Sequence, residues 1–328
     1  MPARSPDDRA MPTPQGKTLF SGSGDFATEV SEIADGDAAV LELLHDLDPD
    51  QVDGAIAKRR LGVGFWIAAG WFALVALLAL LAPILPLKNP ELPAGAPRQF
   101  PNAEFWFGTD MLGRDIFSRV VWGGRVSLVV GFASILLGLA IGGTIGVLAG
   151  FYKRRTESVL MGSMDVLLAF PALLLALVIV SFTGDNSITN VVLAIGIVSI
   201  APVARLVRAS TLVFSEREFV TAARSLGASN SRIITREILP NVMLPVLSFG
   251  IIGVAVAIIA EGGLAFLGLS VPPPTPTWGG MINDGRAQLE NYPYMSLIPC
   301  FVMFLTVLSL NLAGDRIREF FDIKEGAL

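Results

Sequence analysis

Six stretches of the chain are almost free of charge and long enough to matter: roughly 62–82, 127–151, 159–182, 188–207, 242–267 and 295–312. A helix rising 1.5 Å per residue needs about 20 apolar residues to cross a ~30 Å hydrocarbon core. The first run supplies that with no charge at all, preceded by Lys58, Arg59 and Arg60 and followed by Pro83 and Pro86. In lipid only a helix satisfies its own backbone polar groups over such a length. The pattern therefore predicts an all-α polytopic membrane protein with six transmembrane helices, the lipid bilayer being its solvent.

The polar intervals predict how those helices are oriented. Placing Lys58, Arg59 and Arg60 inside also puts Lys153, Arg154, Arg155, Arg217, Arg224, Arg232, Arg236, Arg316 and Arg318 inside. The opposite loops offset Lys88, Arg98, Arg114, Arg119, Arg125 and Arg286 with Glu91, Glu104, Asp110, Asp115, Asp284 and Glu290. The excess of inner Lys and Arg predicts both termini in the cytoplasm. Five regions follow: an acidic, partly disordered extension (1–57), a first span (58–87), an outer segment (88–124), a five-helix core (125–314) and a tail (315–328).

Net charge changes this picture only at the N-terminus. The chain carries −5 overall, yet residues 1–57 hold twelve acids against Arg4, Arg9 and Lys17, so the remainder is mildly basic. Apolar residues at helical spacing between 25 and 48 fit either two short docking helices or a mobile tail. The first apolar run begins too late, behind too acidic a start, for a secretory signal.

One polar interval is neither a turn nor a linker. Between the fourth and fifth runs the chain reads EFVTAARSLGASNSRIITREILPN from Glu218 to Asn241. Ala222, Ala223 and Leu226 make a small apolar helical face, Gly227 permits a turn, and Ser229 or Asn230 can cap a second helix. Pro240 sits where a missing N–H costs little. Helix, glycine turn, helix and span make a compact lever.

This stretch resembles the EAA loop of type I ABC importer permeases, E-A-A-x3-G-x9-I-x-L-P. Thr221-Ala222-Ala223 matches the triad with Thr221 in place of glutamate, Gly227 matches the glycine, and Leu239-Pro240 closes the pattern. Glu237 holds the isoleucine position, with Ile238 one residue later. The block Gly108-Thr109-Asp110-Met111-Leu112-Gly113-Arg114-Asp115, followed by Gly124 to Leu128, is similar to the segment before span two in dipeptide, oligopeptide and nickel permeases. Phe266 to Gly279 and Asn311 to Arg316 are similar to that family's closing segments. The resemblance covers about residues 60–324 and fits the C-type member of a permease pair.

The resemblance implies the transmembrane domain of a type I ABC importer, forming half of a translocation pathway, for peptides by preference and for nickel or another solute otherwise. It implies a second permease subunit, two nucleotide-binding ATPase subunits and an extracytoplasmic substrate-binding protein as partners. ATP and Mg2+ would then sit on the ATPase subunits, with no cofactor on this chain. It also implies that the helix around Thr221, Ala222, Ala223, Arg224, Leu226 and Gly227 is what an ATPase subunit grips: the small residues allow close approach, and Leu226 anchors.

The residues themselves suggest no catalysis and no nucleic-acid partner. One Cys (Cys300) and one His (His45) cannot build a redox or zinc framework. Gly16-Lys17-Thr18 mimics a phosphate loop without its glycine, with Pro12 and Pro14 interrupting. Charges inside spans are costly unless paired or wetted. Asp165 is therefore expected to pair with Arg205 or Arg208, and Glu261 either to line an outer vestibule or to bond backbone beside Gly262 and Gly263. Residues 108–125 suit a helix lying at the outer interface, with aromatic and basic anchors, and Pro272 to Pro276 stiffen the loop after span five. A gradient-driven secondary transporter and a membrane scaffold acting through its acidic tail are the rival readings.

Overall fold

A computed structural model describes residues 62–184 and 187–325, with side chains described to residue 319; the acidic extension, His45 and the Gly16-Lys17-Thr18 run lie outside them. Those residues are helical apart from their loops and one isolated bridge, Thr109 to Asp115. The helices are α1 (Val63–Leu81), α2 (Ile116–Tyr152), α3 (Arg154–Leu168), α4 (Ala172–Thr183), α5 (Ile188–Ser215), α6 (Glu218–Ser225), α7 (Asn230–Phe266), α8 (Trp278–Gly285) and α9 (Tyr294–Glu325).

The bundle is organised around α2 and α5. Gly138, Gly142, Gly146 and Gly150 recur every fourth residue of α2 and face α5. A Cβ at Gly142 would stand 2.5 Å from the Ile200 carbonyl oxygen, and one at Gly146 would stand 2.6 Å from that of Ala204. Such proximity is available only to glycine and gives two apolar helices the close packing that replaces hydrophobic drive in lipid. Because Gly138 meets Ser199 while Gly150 meets Thr211, the two helices run parallel. On the other face of α2, Gly131 meets Ile258 and Ile135 meets Gly253, so α7 runs antiparallel to it.

Parallel packing of α2 and α5 decides what the segment between them does. Residues 153–187 must return from the end of α2 to the start of α5, the full depth of the bundle. They do so as a broken unit: α3 and α4 are bent by 85° at a break before Pro171, where the proline ring and missing N–H end a helix. Among the described residues five helices are individually long and apolar enough to span, and the bent pair, taken as one span, makes a sixth. At 12 residues α4 covers about 18 Å by itself, too short for the hydrocarbon core.

Two expected boundaries move. The second span starts at Ile116 instead of 127, so the division between an outer segment ending at 124 and the core falls inside a continuous helix of 37 residues. The short helix after the glycine turn is likewise continuous with the fifth span. Pro240 brings no N–H, and the ladder widens just before it through a π-helical turn, Ile233–Ile238. There the Leu239 N–H reaches the Ile234 carbonyl, and the Asn241 side-chain amide donates to the Glu237 carbonyl at 2.6 Å.

The helices leave the bundle with two unlike ends. One carries the α5–α6–α7 elbow and the α2–α3 corner. The other carries the loops 82–115 and 267–293 with α8.

Candidate functional site

At the elbow end, α6 starts after Arg217 and stops at Leu226. Gly227 takes φ +79°, its N–H bonds the Arg224 carbonyl and the Ala228 N–H bonds that of Ala223, both at 3.0 Å. This is a glycine-terminated helix end. No atom lies within 4 Å of where a Gly227 Cβ would be, so glycine is required for the conformation and not for space. Ser229 then caps α7, accepting from the Arg232 N–H.

The elbow is rooted by residues the sequence reading did not single out. Val220, Ile233 and Ile238 are all 0% exposed and pack with Val203, Val207 and Phe214. On the free side Thr221, Ala222, Arg224, Gly227 and Leu226 are exposed, Leu226 to 88%, whereas Ala223 turns half inward against this core. Ala222, Ala223 and Leu226 therefore do not form one face. The free face is Thr221, Ala222 and Leu226, flanked by Phe219. Leu239 and Pro240 follow the second turn of α7 and are themselves exposed.

The neighbouring corner meets the elbow through Phe151, which packs on the elbow's apolar core with the Arg224 guanidinium carbon 6.0 Å from its ring centroid, and through polar contacts that are open to solvent. Lys153 and Arg154 hold positive φ, 51° and 49°, at the sharp turn from α2 into α3, a sparsely populated region for such side chains. Lys153 Nζ donates to Glu216 Oε1 at 2.8 Å, and that hydrogen bond, with the lysine's charge, holds the Glu216 carboxyl below its ordinary range. Asp165 pairs with Arg205 at 2.7 Å, and Arg208 pairs with Glu157 instead. The Asp165 and Arg205 side chains are 60% and 54% exposed. This pair therefore faces an open surface of the chain rather than a buried core.

The other end is built oppositely. Gly108 and Gly113 both adopt φ +77°, which no interfacial helix tolerates, and the Asp110 carboxylate gathers the N–H groups of Leu112 and Arg114 at 2.8 and 3.0 Å and Arg114 Nε at 2.6 Å. Thr109 Oγ1 donates to the Ala96 carbonyl and accepts from the Gln99 N–H. Asp115 caps α2 through the Ser118 N–H at 3.1 Å, and burial pushes its carboxyl above the usual range against that bond and Lys88. Residues 108–125 are thus a folded turn plus the first turns of α2. Of the three arginines expected as interfacial anchors, Arg114 and Arg119 point inward, because the carbonyls and carboxylates of the neighbouring loops meet them there; only Arg125 is exposed.

Arg119, with its side chain 4% exposed, joins four segments. It donates to the carbonyls of Pro90 and Pro274 at 2.9 and 3.3 Å and faces Asp110 and Asp284 at 3.5 and 3.9 Å. Burial raises the Asp284 carboxyl, with Arg119 and Arg114 opposing. Beneath it Trp278 is fully buried, its indole N–H donating to the Val120 carbonyl at 3.0 Å and its backbone N–H to Ser127 Oγ at 3.2 Å. Glu261 is 0% exposed and neither lines a vestibule nor bonds nearby backbone; it accepts from Ser270 Oγ at 2.5 Å and Ser127 Oγ at 3.5 Å. These contacts seat α8 between α2 and α7. Among the described residues no group of three or more His, Cys, Asp or Glu side chains could hold a metal ion.

Residues 142–324, from the glycine stripe through the elbow to α9, match the family of binding-protein-dependent transport system inner membrane components. A glutathione transport system permease protein, GsiD of Pectobacterium atrosepticum, is 42% identical over 224 residues, covering 68% of this chain and 74% of its own. A dipeptide transport system permease protein, DppC of Alkalihalophilus pseudofirmus, is 41% identical over 249 residues, covering 76% and 82%. The fold is shared with a solved structure of the MetNI methionine ABC transporter in inward-facing conformations, at a TM-score of 0.53 and 18% identity over 62% of this chain and 96% of that one. The chain belongs to the binding-protein-dependent transport system inner membrane component family, as a permease subunit of an ABC-type importer.

Proposed function

We propose that this subunit forms half of the translocation pathway of an ATP-driven importer of short peptides, and that its elbow is the surface through which an ATPase subunit moves it. The supporting observation is the division of labour in α6. Val220 is sealed into the bundle with Ile233 and Ile238, while Thr221, Ala222 and Leu226 project from the same eight-residue helix and its end. A push on that face reaches α5 through Phe214 and α7 through its continuous start, so the helix acts as a lever with a fixed root.

In this reading the elbow end is cytoplasmic, since Lys153, Arg154, Arg155, Arg217, Arg224, Arg232 and Arg236 cluster there. The loop end faces outward toward a substrate-binding protein. ATP and Mg2+ are held by two partner ATPase subunits, and a second permease subunit completes the pathway. The peptide assignment draws on the relatives named for glutathione and dipeptide transport.

Leu226→Asp tests the lever. The side chain is 88% exposed, so the subunit's own stability should be unchanged, while association with the ATPase subunit and peptide uptake by the reconstituted complex should each fall at least about tenfold, the worth of one lost apolar anchor. Uptake equal to wild type would overturn the assignment.

A further inference from the structure

A cleft of about 420 Å³ opens at the loop end between the outer turns of α2, the start of α5 and the loops at 89–91 and 275–276. Its volume falls in the range that accepts small ligands. The cap described above accounts for Arg114 and Arg119; it leaves this cleft and its charges unused.

On one wall Arg125 is exposed, with its guanidinium carbon 5.6 Å from the centroid of the Trp122 ring. Arg125 has no ion-pair partner among the described residues, so the guanidinium rests near the indole with its donors free. Glu91 lines the same cleft, an exposed carboxylate steadied by Thr275, whose hydroxyl donates to Oε1 at 3.2 Å. Ile188, Val126 and Trp122 add apolar lining to the cleft. A planar donor fork suits a carboxylate, a fixed carboxylate suits an ammonium, and the apolar strip suits a small side chain between them. An anionic headgroup would meet Arg125 favourably but Glu91 unfavourably.

We propose that this cleft is an outer binding subsite for a short zwitterionic peptide, with Arg125 receiving the C-terminal carboxylate and Glu91 the N-terminal ammonium. The inference rests on the peptide reading given above and assigns the residues that would touch the substrate at the mouth.

Uptake of trialanine, trialanine amide and N-acetyl-trialanine by the complete complex in proteoliposomes tests it. What matters is the change in preference between variant and wild type, so the selectivity of the binding protein cancels. Arg125→Gln should lower the preference for free acid over amide by about tenfold, the worth of one charge-assisted hydrogen bond, and Arg125→Lys should restore part of it. Glu91→Gln should do the same for free amine over acetylated peptide. Preferences within twofold of wild type in both variants, or an equal fall for every peptide as a lipid-anchoring arginine would give, overturn the subsite alone. A wild-type complex that carries neither trialanine nor glutathione overturns the peptide reading and the subsite with it.

Discussion

The two ends of this bundle use charge in opposite ways. At the loop end Arg119 is 4% exposed with four partners, and Trp278 and Glu261 are fully buried. At the elbow end the pairs Lys153–Glu216 and Asp165–Arg205 are open on both sides, with side chains 39%, 71%, 60% and 54% exposed, and Arg208–Glu157 is half-buried. Exposed pairs contribute about 0–1 kcal/mol, whereas leaving a buried charge unpaired costs about 3–5 kcal/mol. The loop end is therefore a stiff cap, and the elbow end is a loosely tethered lever with an apolar root. This asymmetry is what the proposed function calls for in a subunit moved from one side and docked on the other.

The largest effect should follow from breaking the cap. Arg119→Met strips two loop carbonyls of their donor and half-exposed Asp284 of a partner, while Asp110 keeps Arg114, and should cost about 2–3 kcal/mol, read as a lowered unfolding temperature of the solubilised protein. A variant as stable as wild type would mean the cap is not stiff.

Gly227→Val should cost less, about 1–2 kcal/mol for a left-handed non-glycine residue, because nothing crowds the site. Uptake should nevertheless be lost while the protein still inserts and assembles. Retained uptake would show that the turn geometry is immaterial.

Asp165→Asn should change stability by less than about 1 kcal/mol, given the exposure of both partners. A cost near that of Arg119→Met would erase the contrast between the ends.

The smallest effect concerns Glu216. Its carboxyl is held below the ordinary value of 4.5 by Lys153, so the tether's contribution is complete above that value and is lost as pH falls through the lowered one. Hydrogen exchange across 152–156, corrected for intrinsic rates, should be flat from pH 7 to 5 and rise below; Glu216→Gln should abolish the rise.

The crossings and the elbow were legible because each rests on local chemistry: uncharged runs, a basic corner, a glycine before a cap. The Asp165–Arg205 pair was legible as one of two options, since a charge beside an apolar run must find a partner. What stayed hidden depends on residues far apart in the chain. Arg119 looks like an interfacial anchor until Pro90 and Pro274 are brought to it, and Glu261 meets Ser127 from 134 positions away. The glycines of α2 carry no local signal, because their reason is the backbone of α5. Val220 is one apolar residue in a polar helix, and its burial follows from Ile233 and Ile238 beyond the turn. Pro171 is a helix breaker in any context, but nothing local to it sets the 85° angle between α3 and α4.

The central claim is that the exposed face of the elbow is held by an ATP-hydrolysing partner. A photo-cross-linking amino acid at position 226, activated in membranes containing the assembled complex, tests this directly. The account predicts one dominant adduct, to an ATPase subunit, whose yield changes when ATP is supplied. An adduct only to lipid, or none in a complex that still transports, would contradict it.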